Sequence, residues 1–288
     1  MKKFWINILV TFGFGWLMQG LAVLSSSIDP TGLVYTALLS VCMFAPLFGV
    51  LAANGGIGKK ADIRWKPRIK GRVRWWLAAW FVPAVLAILG AVLYFLLFPN
   101  RFDSSTPALT AQLAAAGSPL PGWVIAVVGL IQSVTYAPFI NMFFALGEEA
   151  GWRGWMTPFL AARMEQKKAL VLSGVIWGAW HWPIILLAGY NFGTGYWGAP
   201  FTGALEMCLA CVALGILLSF LYEKTGSVWA PALAHGAFNA VAGIGSYFLP
   251  LGTTSMILGP TPLGLVAGIP LFLLAVWICF KHTKPQDE

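Results

Sequence analysis

Residues 75–98 read WWLAAWFVPAVLAILGAVLYFLLF, a run without a charged side chain. At ~1.5 Å per residue a helix of this length covers about 36 Å, enough to cross the ~30 Å hydrocarbon core of a bilayer. Seven further stretches read the same way, at about 4–24, 31–53, 122–146, 169–188, 202–221, 227–249 and 260–280. They are helix-length apolar runs, not the ~10-residue alternating segments of a membrane β-barrel. In hydrocarbon each backbone N–H and C=O needs a partner within the segment, which a helix supplies. The expected fold is therefore all-α, a polytopic integral membrane protein with about eight transmembrane helices. It reads as a single helical membrane domain over 1–288, with a chemistry-bearing core at about 122–249.

Composition supports this reading. Of 288 residues, 59% are hydrophobic and only 10% charged, against the ~25% charged residues of a soluble domain. A soluble globular domain, a disordered chain and a disulfide scaffold are excluded. The net charge of +8 invites a nucleic-acid reading, but its distribution argues otherwise. Eight of the 18 basic residues lie in the loop 54–74: Lys59, Lys60, Arg64, Lys66, Arg68, Lys70, Arg72 and Arg74. Trp65, Trp75 and Trp76 are interleaved with them. Between apolar spans such a loop meets anionic lipid headgroups, not nucleic acid. With the N-terminus cytoplasmic, 17 of the 18 Lys and Arg residues fall on the inner side and only Arg101 outside. This split follows the positive-inside rule and places both termini in the cytoplasm. No targeting signal is evident, so a prokaryotic plasma membrane is the expected location. Cys42, Cys208, Cys211 and Cys279 all lie in apolar stretches and read as small buried residues.

The informative residues are those that hydrocarbon disfavours. Ionisable groups within spans are costly and mark function by default. His181 lies in Val175-Ile-Trp-Gly-Ala-Trp-His-Trp-Pro183, and His235 in Ala230-Pro-Ala-Leu-Ala-His-Gly-Ala-Phe-Asn239. The fourth apolar stretch ends in Gly147-Glu-Glu-Ala-Gly-Trp-Arg-Gly154. Glu149 and Arg153 are spaced i, i+4 with the acid first, which favours pairing. Glu148 points ~100° away around the helix and is left for chemistry. Asn141, two turns earlier, reads as a helix-packing amide or as a group that steadies Glu148. His235 and Asn239 share one helix face, and Trp177 stands one turn before His181. Gly174 and Gly178 give one helix a small face for close approach, as Ala230, Ala234 and Ala237 give another. Counted from the basic interface, His181 and His235 lie roughly 18 and 12 Å deep. All four groups are expected to meet in the inner half of the bilayer, in a cavity open to the cytoplasm. Glu206, near the outer end of its span, reads as interfacial.

Three of these stretches resemble the motifs of the CPBP family, which comprises the CAAX prenyl proteases and bacteriocin-processing proteins and is also called the ABI family. They are Glu148-Glu149-Ala-Gly-Trp-Arg153, Trp177-Gly-Ala-Trp-His181 and His235-Gly-Ala-Phe-Asn239. The resemblance covers roughly 130–245, and Trp177 stands where phenylalanine is commoner. It implies an eight-helix intramembrane endopeptidase that cuts near the cytoplasmic face. The implied substrate is a prenylated or membrane-embedded peptide. Some members of this family act in bacteriocin immunity or as regulators without proteolysis.

Peptide hydrolysis needs an activated water and a stabilised oxyanion. In one version Glu148 is the general base and His181 helps to hold the water. His235 and Asn239 stabilise the oxyanion, while Glu149, Arg153 and Trp177 support the site. In the other, His181, His235 and Glu148 ligate zinc, two His and a carboxylate being a known catalytic set. The His-Glu-x-x-His helix of many zinc peptidases is absent, and the sequence leaves both versions open. Two other classes compete with the peptidase: a non-catalytic membrane regulator or immunity protein, and a proton-coupled transporter. The transporter reading lacks the repeated halves common in that class.

Overall fold

The structure is a computed structural model and describes residues 1–29, 32–56 and 61–282. Lys59 and Lys60 of the basic loop and the C-terminal residues 283–288 fall outside the described residues. Among those described the chain is helical, and its strand pairing is one isolated bridge between Gly193 and Ser255. Thirteen α-helices follow in order. They are α1 (Lys2–Ser25), α2 (Leu33–Cys42), α3 (Ala45–Ala53), α4 (Val73–Leu97), α5 (Pro107–Ala115), α6 (Gly122–Val134) and α7 (Ala137–Gly151). Then come α8 (Thr157–Ala161), α9 (Gln166–Trp180), α10 (Trp182–Ala188), α11 (Phe201–Thr225), α12 (Trp229–Val241) and α13 (Ile269–His282).

The all-α membrane architecture stands, and the helices divide the apolar stretches unevenly. Four are long and apolar enough to cross a membrane: Lys2–Ser25, Leu33–Ala53, Val73–Leu97 and Phe201–Thr225. Two bent pairs raise the number to as many as six, α6 with Ala137–Ala161 at 58° and α9 with α10 at 41°. The last two expected spans are shorter as helices. The stretch 227–249 is α-helical only over Trp229–Val241, and 260–280 becomes α-helical at Ile269. Pro260, Pro262, Gly264 and Gly268 explain the late start, since each disfavours an interior helical turn.

The breaks have local causes. Pro138 has no N–H and its ring crowds the carbonyl four residues back, that of Val134. The helix bends there, and the Trp80 indole N–H donates to the Val134 carbonyl at 2.9 Å. Pro158 withdraws the donor that Gly154 would have met, and the chain over Trp152–Met156 widens into a π turn closed by Thr157 N–H to the Trp152 carbonyl. Consequently the helix does not stop at the expected span end near 146. It runs through the π turn into α8, and most of the expected inner loop 147–168 is helix.

α11 is the central post, with 83% of its apolar window buried. α9 packs against it through the two glycines. A Cβ on Gly174 would collide with the Val212 backbone, and one on Gly178 with that of Cys208. α12 lies on α7. Ala230, Ala234 and Ala237 are fully buried, and Gly236 makes the closest approach. A Cβ there would lie 2.6 Å from the Pro138 carbonyl oxygen. On the other side of α7, Gly147 and Gly151 admit the α2–α3 junction at Met43–Pro46.

The obstacle beside Gly236 is backbone, which cannot rotate away. Gly236→Val should therefore lower stability in detergent by about 1–3 kcal/mol or more. Gly243→Ala, where an added Cβ meets nothing within 4 Å, should leave it unchanged. Parallel thermal melts check this; equal midpoints for both variants would contradict the packing assigned to α7 and α12.

Candidate active site

Glu148, Trp177, His181, His235 and Asn239 line one cavity of about 120 Å³. That is room for several water molecules. The structure thus brings together, from α7, α9, α12 and the α9–α10 junction, the residues that the sequence singled out.

Glu148 is only 3% exposed. Its Oε2 accepts two indole N–H groups, Trp177 at 2.7 Å and Trp152 at 3.3 Å. Trp177 was expected to pack against His181; its larger contribution is this hydrogen bond across helices. Glu149 is fully buried. It takes a bidentate fork from Arg153 Nε and Nη2, as the i, i+4 spacing implied. It also accepts His235 Nδ1 at 2.8 Å, a contact that sequence spacing does not reveal. The Arg153 guanidinium lies 4.3 Å over the Trp177 ring. One cation therefore supports both carboxylates, Glu149 directly and Glu148 through the indole.

The partners also fix the imidazole tautomers. His181 Nδ1 lies 3.0 Å from the Trp177 carbonyl. A carbonyl only accepts, so Nδ1 carries the proton and Nε2 is left for the cavity. His235 Nδ1 faces a carboxylate and is likewise a donor; a carboxylate partner suits the doubly protonated ring, whose Nε2–H is then a second donor. Asn239 is exposed and lines the cavity. Asn141 does not steady Glu148. Its amide donates to the Ala137 carbonyl of its own helix at 3.0 Å, one turn back on the same face.

His181 does not lie inside a continuous span. It caps α9 and opens α10, with Pro183 two residues further on. The sequence reading assigned no role to the N-terminal helices, yet Gln19 of α1 inserts at this break. Its amide donates to the Trp180 carbonyl at 2.8 Å and accepts from Ile184 N–H at 3.2 Å. Those are the i and i+4 groups an unbroken helix would join to each other. Gln19 is 2% exposed and lines the same cavity. The available signal was an amide in a largely apolar span, which also carries Asn7 and Thr11. Cys42 and Cys211 also line the cavity.

α9 starts at Gln166, so His181 lies about 22 Å along the helix axis from its first residue. Tyr190, Asn191 and Leu263 complete the lining from segments beyond α10 and before α13. The lining thus draws on helices from both the N-terminal and the C-terminal parts of the chain. The zinc set is not assembled: among the described residues no three His, Cys, Asp or Glu side chains form a group that could hold a metal ion.

Residues 124–241 match the family model of type II CAAX prenyl endopeptidase, Rce1-like proteins. The chain is also 28% identical over 98 residues to CAAX prenyl protease 2 of Methanococcus maripaludis, covering 33% of this chain and 36% of that protein. The chain thus spans about a third of the length of this curated relative. The matched segment holds all three motifs, and both comparisons support the CAAX protease family that those motifs resemble.

Two consequences are measurable. Arg153→Ala strands Glu149 and should destabilise the protein by about 3–5 kcal/mol, as breaking a buried pair does. Denaturation in detergent reads this out, and a fully folded variant would refute the pairing argument. Gln19→Leu leaves Ile184 N–H unpaired in the interior and should cost about 1–3 kcal/mol. Gln112→Ala, on the exposed face of α5, is the matched control and should cost nothing.

Proposed function

We propose, taking residues 124–241 as a CAAX prenyl endopeptidase segment, that the protein is an intramembrane peptide hydrolase. The observation that carries this reading is the buried carboxylate of Glu148, oriented by two indoles in the cavity it shares with His181 and His235. The substrate is a prenylated or membrane-embedded peptide, in keeping with the name of the relative. The chain sits in the membrane with its basic loop on anionic lipid headgroups at the cytoplasmic face; Arg68, Lys70 and Arg74 of that loop are exposed.

The mechanism follows from the donors and acceptors. Trp152 and Trp177 occupy Oε2 of Glu148, which leaves Oε1 for a water. His181 Nε2 accepts the second water proton and fixes the lone pair toward the scissile carbonyl. The water oxygen attacks the carbonyl carbon as Glu148 takes its proton. The carbonyl oxygen becomes an oxyanion and accepts hydrogen bonds from protonated His235 Nε2 and from the Asn239 amide. Glu149 faces His235 Nδ1 and stabilises the imidazolium, as a carboxylate behind a histidine does in hydrolase triads. The tetrahedral carbon then expels the amine, which receives the proton held by Glu148. No step passes through a metal.

The test does not presuppose a substrate. Protein termini are compared in membranes from cells carrying the wild type, Glu148→Ala or His235→Ala at matched expression. The wild type should yield termini that both variants lose. With a cleaved peptide in hand, the rate should fall about 10²–10⁴-fold for Glu148→Ala. For His235→Ala the fall should be about 10²–10³-fold. Identical termini in all three, with any phenotype unchanged, would replace this reading with a non-catalytic membrane regulator.

A further inference from the structure

Glu206 lies outside the site just described. By sequence position it reads as interfacial, and the side chain is only 5% exposed. Its Oε1 has no hydrogen-bond partner among the described residues. α11 presents two stripes at helical spacing. Met207, Ala210, Cys211 and Leu214 line the site cavity. Thr202, Leu205, Glu206 and Leu209 line a second cavity of about 490 Å³, whose far wall is Ile257, Leu258 and Leu265. That lining is almost wholly apolar, and Leu205 and Leu265 are 65% and 43% exposed at its rim. Trp197, 89% exposed, also borders it, at the level where aromatic side chains meet headgroups.

Local donors do not answer the carboxylate. Thr202 Oγ1 donates to the Trp197 carbonyl at 2.8 Å, and the Tyr196 hydroxyl to the Pro200 carbonyl at 3.4 Å. No ion pair to Glu206 occurs among the described residues. By the charge distribution this is the cation-poor end of the bundle. The groove therefore lacks two things, a cation that donates hydrogen bonds and an apolar chain. A quaternary ammonium supplies the charge without a donor; a primary ammonium supplies both.

We propose that this groove binds a primary-amine phospholipid from the bilayer, its ammonium on the Glu206 carboxylate and an acyl chain along Leu205, Leu209 and Leu265. The site is independent of the peptidase reading. The lipid phosphate remains in water, since no basic side chain reaches this cavity. The groove closes on the back of the helix that lines the active-site cavity, so an occupied groove braces α11.

The test uses the full chain in detergent, titrated with phosphatidylethanolamine or phosphatidylcholine of identical acyl chains and followed by native mass spectrometry. The wild type should bind the ethanolamine lipid about tenfold more tightly, the worth of one charge-assisted hydrogen bond. Glu206→Gln should bring the two lipids to parity. Leu205→Trp fills the groove from an exposed position and should weaken the ethanolamine lipid to the level of the choline lipid. That variant decides the matter if Glu206→Gln does not fold. A neutral carboxylic acid would not distinguish the two headgroups, so equal binding by the wild type overturns the proposal. So does a preference that survives either substitution.

Discussion

The fold is organised around one buried charge arrangement, the carboxylate of Glu149 held between Arg153 and His235. Moving such groups out of water costs several kcal/mol per ion, and mutual attraction repays this only when the remaining donors and acceptors are satisfied. Here they are. Arg153 gives its fork to Glu149 and its flat face to Trp177. Trp177 in turn gives its indole proton to Glu148. His235 closes the set from α12. Three helices are thereby pinned at one level, and displacing any of them strands a charge in hydrocarbon. A buried pair of this kind is weak evidence for stability but good evidence for a fixed geometry, which a hydrolytic site requires.

Close approach of backbones makes that geometry reachable. Between membrane helices there is little hydrophobic driving force, so small residues at contacts carry the packing. Gly147 and Gly151 flank the acidic pair on α7, Gly174 and Gly178 precede His181 on α9, and Gly236 follows His235 on α12. Each charged or titratable residue thus sits beside a position where a neighbouring helix comes within van der Waals distance. Deep burial of Glu148, Glu149 and His235 follows from that arrangement. The prolines act in the opposite sense: they free backbone groups, which side chains then answer. Trp80 answers the carbonyl freed by Pro138, and Gln19 bridges the gap beside Pro183.

The sequence showed the helical membrane class, the i, i+4 pair of Glu149 with Arg153, the glycine faces and the set of residues that share the cavity. Those follow from local periodicity and composition. What it hid is non-local or depends on breaks. The His235–Glu149 contact joins residues 86 apart, and no spacing rule reaches that far. Asn141 sits on a suitable face, yet a nearer acceptor on its own helix takes its amide. Gln19 was passed over because its partners exist only where α9 and α10 part. The expected lengths of the last two spans failed for the same reason, since hydropathy does not register where Pro and Gly interrupt a helix.

Depth is the remaining constraint on how the site works. The cavity lies inside the helical bundle, walled by Glu148, His181 and His235, where unpaired polar atoms are costly. In such a place the water-holding atoms must be few and already oriented, because reorganisation has no solvent to help it. The hydrogen-bond pattern meets this condition. The indoles commit one oxygen of Glu148, the backbone commits Nδ1 of His181, and Glu149 commits Nδ1 of His235. One carboxylate oxygen and two imidazole nitrogens remain, all on the wall of the same cavity. A peptide that reaches them must bring its scissile bond to mid-bundle, and an apolar anchor in the surrounding lipid lowers the cost of doing so. On the proposed hydrolase reading, preference for a lipid-modified or membrane-embedded substrate follows from where the carboxylate is buried.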